Sequence, residues 1–179
     1  MNAEEMPVMK KIRELDEALS SSTVVVGWID GNGTAQTAHA NLMAKKSTGE
    51  DQPGIGKPAS IALIARTLNY GRQKGITAEG KKYPAIPARP FMTFAQEIFN
   101  KVFPKVMSKY IPMYLSGAIG IEGIFTVIGE RAKNSVQEAI RKGDYIPLSP
   151  STIKAKKSST PLIDTGKMVE SVTFEVRRG

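Results

Sequence analysis

The stretch I-P-A-R-P-F-M at Ile86–Met92 marks the point where an extended segment leads into the longest helix that the sequence predicts. Residues that precede a proline avoid the helical region, so Pro87 and Pro90 favour an extended path up to the helix. Beyond them, apolar residues recur every four positions, which predicts a helix over Phe91–Leu115.

Further elements are predicted on both sides of this helix. Pro104 and Pro112 fall inside it, and we expect them to kink or break it. The same apolar spacing, with its start and stop residues, predicts other helices: Val8–Leu19 with one apolar stripe, Ser60–Tyr70, Ile124–Lys142, a short turn at Pro150–Lys156, and a last short helix capped by Asp164 or Thr165.

Two segments have the composition of strands. Thr23–Ile29 is a β-branched run followed by D-G-N-G, which is typical of a strand ending in a turn. Thr34–Asn41 is a plausible partner, which would make Thr23–Asn41 a hairpin. Ser171–Val176 alternates apolar and polar residues and predicts a final strand.

The composition describes one domain with long loops. The chain has 179 residues, of which 41% are hydrophobic, and we expect a single domain over residues 1–179 with long loops at about 45–58 and 72–90. The net charge is +8, and Lys45–Lys105 holds eleven basic and four acidic residues. This basic excess fits a solvated surface, contact with DNA or an acidic protein partner.

Several classes of chemistry are excluded by residue counts. The chain has no cysteine, so it has no disulfide and no thiolate metal site. His39 is the only histidine, which excludes a metal site with two imidazoles from one chain and argues against a Ser-His-Asp triad. The polar N-terminus predicts no secretion signal, and Ile111–Ile128 is too interrupted by glycine and polar residues for a membrane span.

Two short motifs resemble parts of known active-site sequences, one of a phosphate-binding loop and one of an aspartic protease. The G-I-G-K at Gly54–Lys57 lacks the glycine and Ser/Thr spacing of a phosphate loop. Asp164-Thr165-Gly166 has the sequence of an aspartic-protease triplet, but that chemistry needs two such aspartates and the chain supplies one. We therefore read this triplet as a helix cap and assign no catalytic residue, cofactor or metal ligand.

The order of the features resembles one known group of proteins. L-N-Y-G-R at Leu68–Arg72 leads through a basic loop to I-P-A-R-P-F-M, then two long helices, then P-L-S-P-S-T-I-K at Pro147–Lys154 and P-L-I-D-T-G-K-M-V-E-S-V at Pro161–Val172. Over Ile61–Val176 this order is similar to the virion morphogenesis and tail-completion (neck, head–tail joining) proteins of long-tailed bacteriophages.

The resemblance implies an α+β fold, with a small antiparallel β-sheet packed against long helices and with long basic loops. It also implies a non-enzymatic structural role, in which a ring of six subunits, or alternatively twelve, joins the tail to the DNA-filled head. The implied partners are further copies of the chain, neighbouring neck, portal-adaptor and tail-terminator or tube proteins, and packaged DNA through non-specific contacts. The implied location is the virion, after assembly in the host bacterial cytoplasm.

The same resemblance suggests which residues act at subunit boundaries. Arg89 lies between two prolines and could pair with a carboxylate across a boundary or inside the subunit. Phe91 and Trp28 are further interface candidates, although Trp28 also fits a core position. The basic candidates for facing DNA are Lys45, Lys46, Arg72, Lys74, Lys81 and Lys82.

Two alternatives remain open from the sequence. Charge alone favours a cytosolic protein that binds nucleic acids non-specifically, although the aromatic platforms of single-strand binders are missing. A hydrolase that uses Asp164 is the third hypothesis, and it lacks the second carboxylate that such chemistry needs.

Overall fold

Six helices and four strands lie in the part of the chain that a computed structural model describes, residues 6–29, 60–77, 80–156 and 159–179. The helices are α1 (Pro7–Ser21), α2 (Ile61–Tyr70), α3 (Phe91–Leu115), α4 (Ile121–Lys142), α5 (Pro150–Lys156) and α6 (Lys167–Glu170). The strands are β1 (Ser22–Gly27), β2 (Gly75–Ile76), β3 (Lys82–Tyr83) and β4 (Thr173–Arg178). The fold is α+β, with small antiparallel sheets against long helices.

The helices α3 and α4 form the scaffold of the fold. Residues 116–120 join them, and a connection this short makes an antiparallel helical hairpin. Pro104 and Pro112 both lie inside α3, which continues through them, so the expected break does not occur. The carbonyl groups that lose their partners belong to Asn100 and Ser108, which are exposed and can bond to water instead.

The larger sheet joins distant parts of the sequence. β1 pairs antiparallel with β4, in a register that runs from Ser22 opposite Arg178 to Gly27 opposite Thr173. Both strands pack on α4. The partner strand predicted at Thr34–Asn41, like the predicted loop at 45–58, lies outside the described residues.

A small second hairpin lies within the basic loop predicted at 72–90. β2 pairs antiparallel with β3, with Gly75 opposite Tyr83 and Ile76 opposite Lys82. Next to it, the amide of Arg72 donates to the carbonyl of Ile86 at 2.8 Å, and the amide of Ile86 donates to the carbonyl of Arg72 at 2.7 Å. This segment therefore returns the chain from the end of α2 to the start of α3.

The core consists of two clusters along the helical hairpin. The first surrounds the start of α3 and the end of α4 and includes Phe91, Val136, Ile140, Leu162 and Val169. The second, at the other end of the hairpin, is formed by Leu15, Met107, Tyr114, Ile124 and Ile128. The first cluster supports the segments described below, and the second anchors α1.

Helix α1 is attached through only part of its predicted apolar stripe. Leu15 is buried, the Lys11 ammonium donates to the carbonyl of Leu115 at 2.9 Å, and the Tyr114 hydroxyl donates to the carbonyl of Lys11 at 3.2 Å. The remaining stripe residues, Val8, Ile12 and Leu19, are 47%, 45% and 39% exposed. The helix was predicted correctly, but most of its apolar stripe faces away from the core.

The cap predicted for the last helix is wrong. The residue at the N-cap of α6 is Gly166, in the left-handed region at φ 80°, and no side chain bonds to the first turn. Asp164 and Thr165 come earlier and are exposed. The glycine starts the helix here because a left-handed backbone favours a residue without a Cβ.

Candidate functional site

The four motifs that carry the resemblance line one groove, which has a volume of about 890 Å³. We call it the Arg89 groove. Its walls come from α2, the Pro84–Arg89 segment, the residues leading into α5, and the Pro161–Val169 segment. Its lining is mainly apolar and includes Ile61, Ile64, Leu68, Pro87, Leu148 and Met168.

The end of α2 holds the I-P-A-R-P-F segment in place. The amide of Arg89 donates to the carbonyl of Leu68 at 2.9 Å, and the amide of Met92 donates to the side-chain oxygen of Asn69 at 3.0 Å. Pro90, at the N-cap of α3, has no side chain that can bond to the first turn. The buried Asn69 therefore supplies from α2 the cap that α3 lacks.

A glycine allows this close approach between α2 and the segment that follows it. Gly71 ends α2 with φ 75°. A Cβ at this position would lie 2.7 Å from the carbonyl oxygen of Ile86 and 2.8 Å from the amide nitrogen of Ala88. Both neighbours are backbone atoms, so a larger residue at position 71 would push the segment away from the helix.

The Arg89 side chain is buried at the groove. It is 3% exposed, and its Nε donates to the carbonyl of Ile146 at 3.0 Å. Among the described residues no carboxylate forms an ion pair with it. Burial lowers the pKa of Arg89 from its ordinary value, yet arginine stays protonated in proteins. The groove therefore contains a fixed positive charge with guanidinium N–H donors to spare.

This arrangement is suited to binding an anionic group that is attached to an apolar carbon skeleton. A buried charge without a partner is costly, and a carboxylate or phosphate that meets the guanidinium edge would relieve that cost. Arginine presents its N–H groups in a planar fork that matches two oxygen atoms of one carboxylate. The apolar walls would bury the carbon atoms next to that group.

The hydroxyl and carboxyl groups at the rim of the groove have simpler roles. The Ser149 hydroxyl lies 2.8 Å from that of Thr152 and accepts from the Thr152 amide at 3.3 Å, which caps α5. Asp164 is the one carboxylate among the lining residues, and it is exposed. A pair of carboxylates sharing a proton, as aspartic-protease chemistry requires, is not present in this lining.

The other interface candidates lie in the subunit core. Phe91 is 0% exposed. The Trp28 ring meets the Phe91 ring edge to face with centroids 5.8 Å apart, and its indole nitrogen donates to the carbonyl of Met168 at 2.8 Å. These contacts fit the core alternative for Trp28, and they bury Phe91 where a neighbouring subunit cannot touch it.

Four of the basic candidates gather on the β2–β3 hairpin and its base. Arg72, Lys74, Lys81 and Lys82 are all exposed, and the Arg72 guanidinium lies 4.3 Å from the centre of the Tyr83 ring. Lys45 and Lys46 lie outside the described residues. The hairpin thus presents a small positive surface near the Arg89 groove.

Sequence reasoning missed the groove itself and the partner role of Asn69. The position of Asn69 in L-N-Y-G-R gave no sign that its amide would cap a later helix. The exposed apolar side of α1 was also missed, because helical spacing identifies a stripe but not what covers it.

No protein-family model, curated protein or solved structure matches this chain. None of the helices in the described ranges combines the length and the apolar character needed to cross a membrane.

Proposed function

We propose that this chain is a structural virion protein of a tailed bacteriophage, which forms a ring at the head–tail junction and joins the tail to the DNA-filled head. The ordered motifs over Ile61–Val176 support this proposal, since they resemble the tail-completion and neck proteins. The convergence of all four quoted motifs on one groove supports it further.

One observation carries the proposal: the buried Arg89 guanidinium has no counter-charge among the described residues. A subunit that must assemble needs surfaces that are completed by a partner. A fixed cation in an apolar groove is such a surface, since a partner's carboxylate would complete it. The exposed apolar residues of α1 are a second surface of this kind.

The test is deletion of the reading frame from the phage that carries it, followed by electron microscopy of the lysate. Filled heads beside separate, complete tails are the expected result. A plasmid copy of the wild-type gene should restore infectious particles, which controls for effects on neighbouring genes. Normal, infectious particles without the protein would refute the proposal.

A second candidate function is non-specific binding of nucleic acid. The exposed basic residues on the β2–β3 hairpin favour it, because clustered Lys and Arg bind phosphates without reading sequence. The two functions are compatible at a ring whose channel contains DNA. They differ in what deletion does: a protein that only binds nucleic acid would leave joined particles.

A further inference from the structure

The exposed side of α1 is an apolar stripe with one acidic residue in it. Met9, Ile12, Asp16 and Leu19 follow one another at spacings of three, four and three residues, so they share one face of the helix. Met9, Ile12 and Leu19 are among the large apolar residues that the structure leaves exposed. We call this face the Asp16 stripe.

Among the acidic residues of α1, Asp16 is the one whose helical neighbours at spacings of three and four, Leu19 and Ile12, are exposed apolar residues. It is exposed and forms no ion pair with any residue in the described ranges. Glu17 lies about 100° further around the helix, and its carboxylate is 3.9 Å from the Arg13 guanidinium. The Asp16 carboxylate is therefore the acidic group that accompanies the exposed apolar residues.

The Asp16 stripe and the Arg89 groove are complementary in shape and in the sign of their charge. One is an apolar helix face with a single carboxylate. The other is a concave, mainly apolar surface with one buried guanidinium, and its exposed charged residues are the cations Arg72 and Lys167 and the anion Asp164. They lie on different parts of the subunit, since α1 packs on the Leu15–Tyr114 cluster and the groove is built on the Leu162–Val169 cluster.

We propose that α1 of a second copy of this chain docks in the Arg89 groove, with its Asp16 carboxylate against the Arg89 guanidinium. This inference rests on the proposed ring and names the contact that builds it. The contact joins two different surfaces of identical subunits, so a pair of subunits still has one free groove and one free stripe. Such head-to-tail contacts close into a ring when the rotation per subunit permits.

The pairing accounts for two features at once. It supplies a counter-charge for Arg89, which pairs with no carboxylate among the described residues of the single subunit, in a site from which apolar side chains exclude water. It also covers the stripe residues of α1, whose exposure is otherwise a liability for a protein in water.

The test uses a photo-activatable benzophenone amino acid in place of Ile12, on the full chain at high concentration. After irradiation, dimers are separated on a denaturing gel and the crosslinked peptides are identified by mass spectrometry. We expect crosslinks to residues 61–72, 84–89, 147–152 or 161–169 of another copy. Mixing with an isotope-labelled copy distinguishes these from crosslinks within one chain.

Matched variants test the charge pair. Asp16→Asn should lower the crosslink yield at limiting concentration at least about 10-fold, because it removes one member of a buried charge pair. Glu17→Gln removes a carboxylate that lies on the same helix but outside the Asp16 stripe, and it should leave the yield unchanged. Because Asp16 is exposed, its replacement does not threaten folding of the subunit.

The outcomes separate this contact from the proposed function. Crosslinks outside the groove, no crosslink between copies, or a yield that Asp16→Asn does not change would each overturn the docking of α1. If a phage that carries Asp16→Asn still builds rings and joined particles, the proposed ring stands and the docking of α1 is overturned. Crosslinks in the groove together with normal particles after gene deletion would refute the function and keep the contact.

Discussion

The Arg89 guanidinium donates a hydrogen bond from Nε to the carbonyl oxygen of Ile146, 3.0 Å away, and this bond links the segment before α3 to the segment before α5. The contact satisfies one of the five N–H donors of the group and none of its charge. The same side chain thus helps to shape the groove and gives it a positive charge.

Replacing Arg89 with methionine should separate these two roles. We expect the free energy of unfolding of the single subunit to change by no more than about 1 kcal/mol, since losing the hydrogen bond is offset by removing an unpaired buried charge. Chemical denaturation measures this value. The same variant should fail to restore infectious particles in the gene-deleted phage.

The control is Arg141→Met, which removes an exposed arginine from the last turn of α4. It should match the wild type in stability and in complementation. A loss of more than about 3 kcal/mol in Arg89→Met would instead identify Arg89 as part of the structural core.

Gly71→Ala should destabilise the subunit by about 2 kcal/mol or more. The cost combines the left-handed backbone at φ 75° with the overlap of a Cβ against the backbone atoms of Ile86 and Ala88. Gly120→Ala is the matched comparison, since its φ is −91° and its Cβ would meet no atom within 4 Å. That variant should cost less than about 1 kcal/mol in thermal or urea unfolding. Equal losses in the two variants would contradict the close approach at Gly71.

The Tyr145 phenol should make the subunit less stable at high pH. Its hydroxyl donates to the carbonyl of Ala139 at 2.8 Å, and burial raises its pKa to about 12. The unfolded chain, with an ordinary pKa near 10, therefore loses this proton first as the pH rises. The contribution is complete below about pH 10 and is lost as the pH rises towards 12.

Because the ring is only partly buried, we expect this contribution to be about 1 kcal/mol. Urea unfolding between pH 8 and pH 11 measures it as the difference between the wild type and Tyr145→Phe. The two stability curves should converge with rising pH, as the wild type loses its advantage. Parallel curves would show that the phenol titrates alike in the folded and unfolded chains.

The basic hairpin can be tested apart from assembly. Replacing Lys74, Lys81 and Lys82 together with alanine should weaken binding to duplex DNA and reduce the slope of log affinity against log salt by about 1 for each phosphate that the protein no longer neutralises. Fluorescence anisotropy at several salt concentrations gives that slope. Alanine at Lys101, Lys105 and Lys109, three exposed lysines of α3, makes the same charge change elsewhere. If both triple variants bind alike, the hairpin is not a DNA-binding surface.

The helices could be predicted well because they bury regular apolar faces. The short helix Pro150–Lys156 has its predicted bounds, and α4 begins three residues before the predicted Ile124. The break expected at Pro104 or Pro112 does not occur, because the effect of a proline depends on whether the freed carbonyl groups reach water. That property follows from packing and not from spacing.

The groove could be predicted only in part. Arg89 and the segments around it stood out in the sequence, whereas their convergence depends on long-range contacts such as the bond from Met92 to Asn69. The orientation of α1 could not be predicted either, since the spacing of Val8, Ile12 and Leu19 is equally compatible with a core face and with an exposed face.

The pairing of β1 with β4 has a consequence for the order in which the subunit forms. The α3–α4 hairpin is built from contacts close in sequence and can form early. Among the described strands, β1 pairs only with β4, which comes much later in the sequence. On the ribosome, β1 emerges long before β4, so this pairing forms only after the helices between the two strands have been made. A chain released before Thr173–Arg178 would therefore lack the strand that pairs with β1 beside α1.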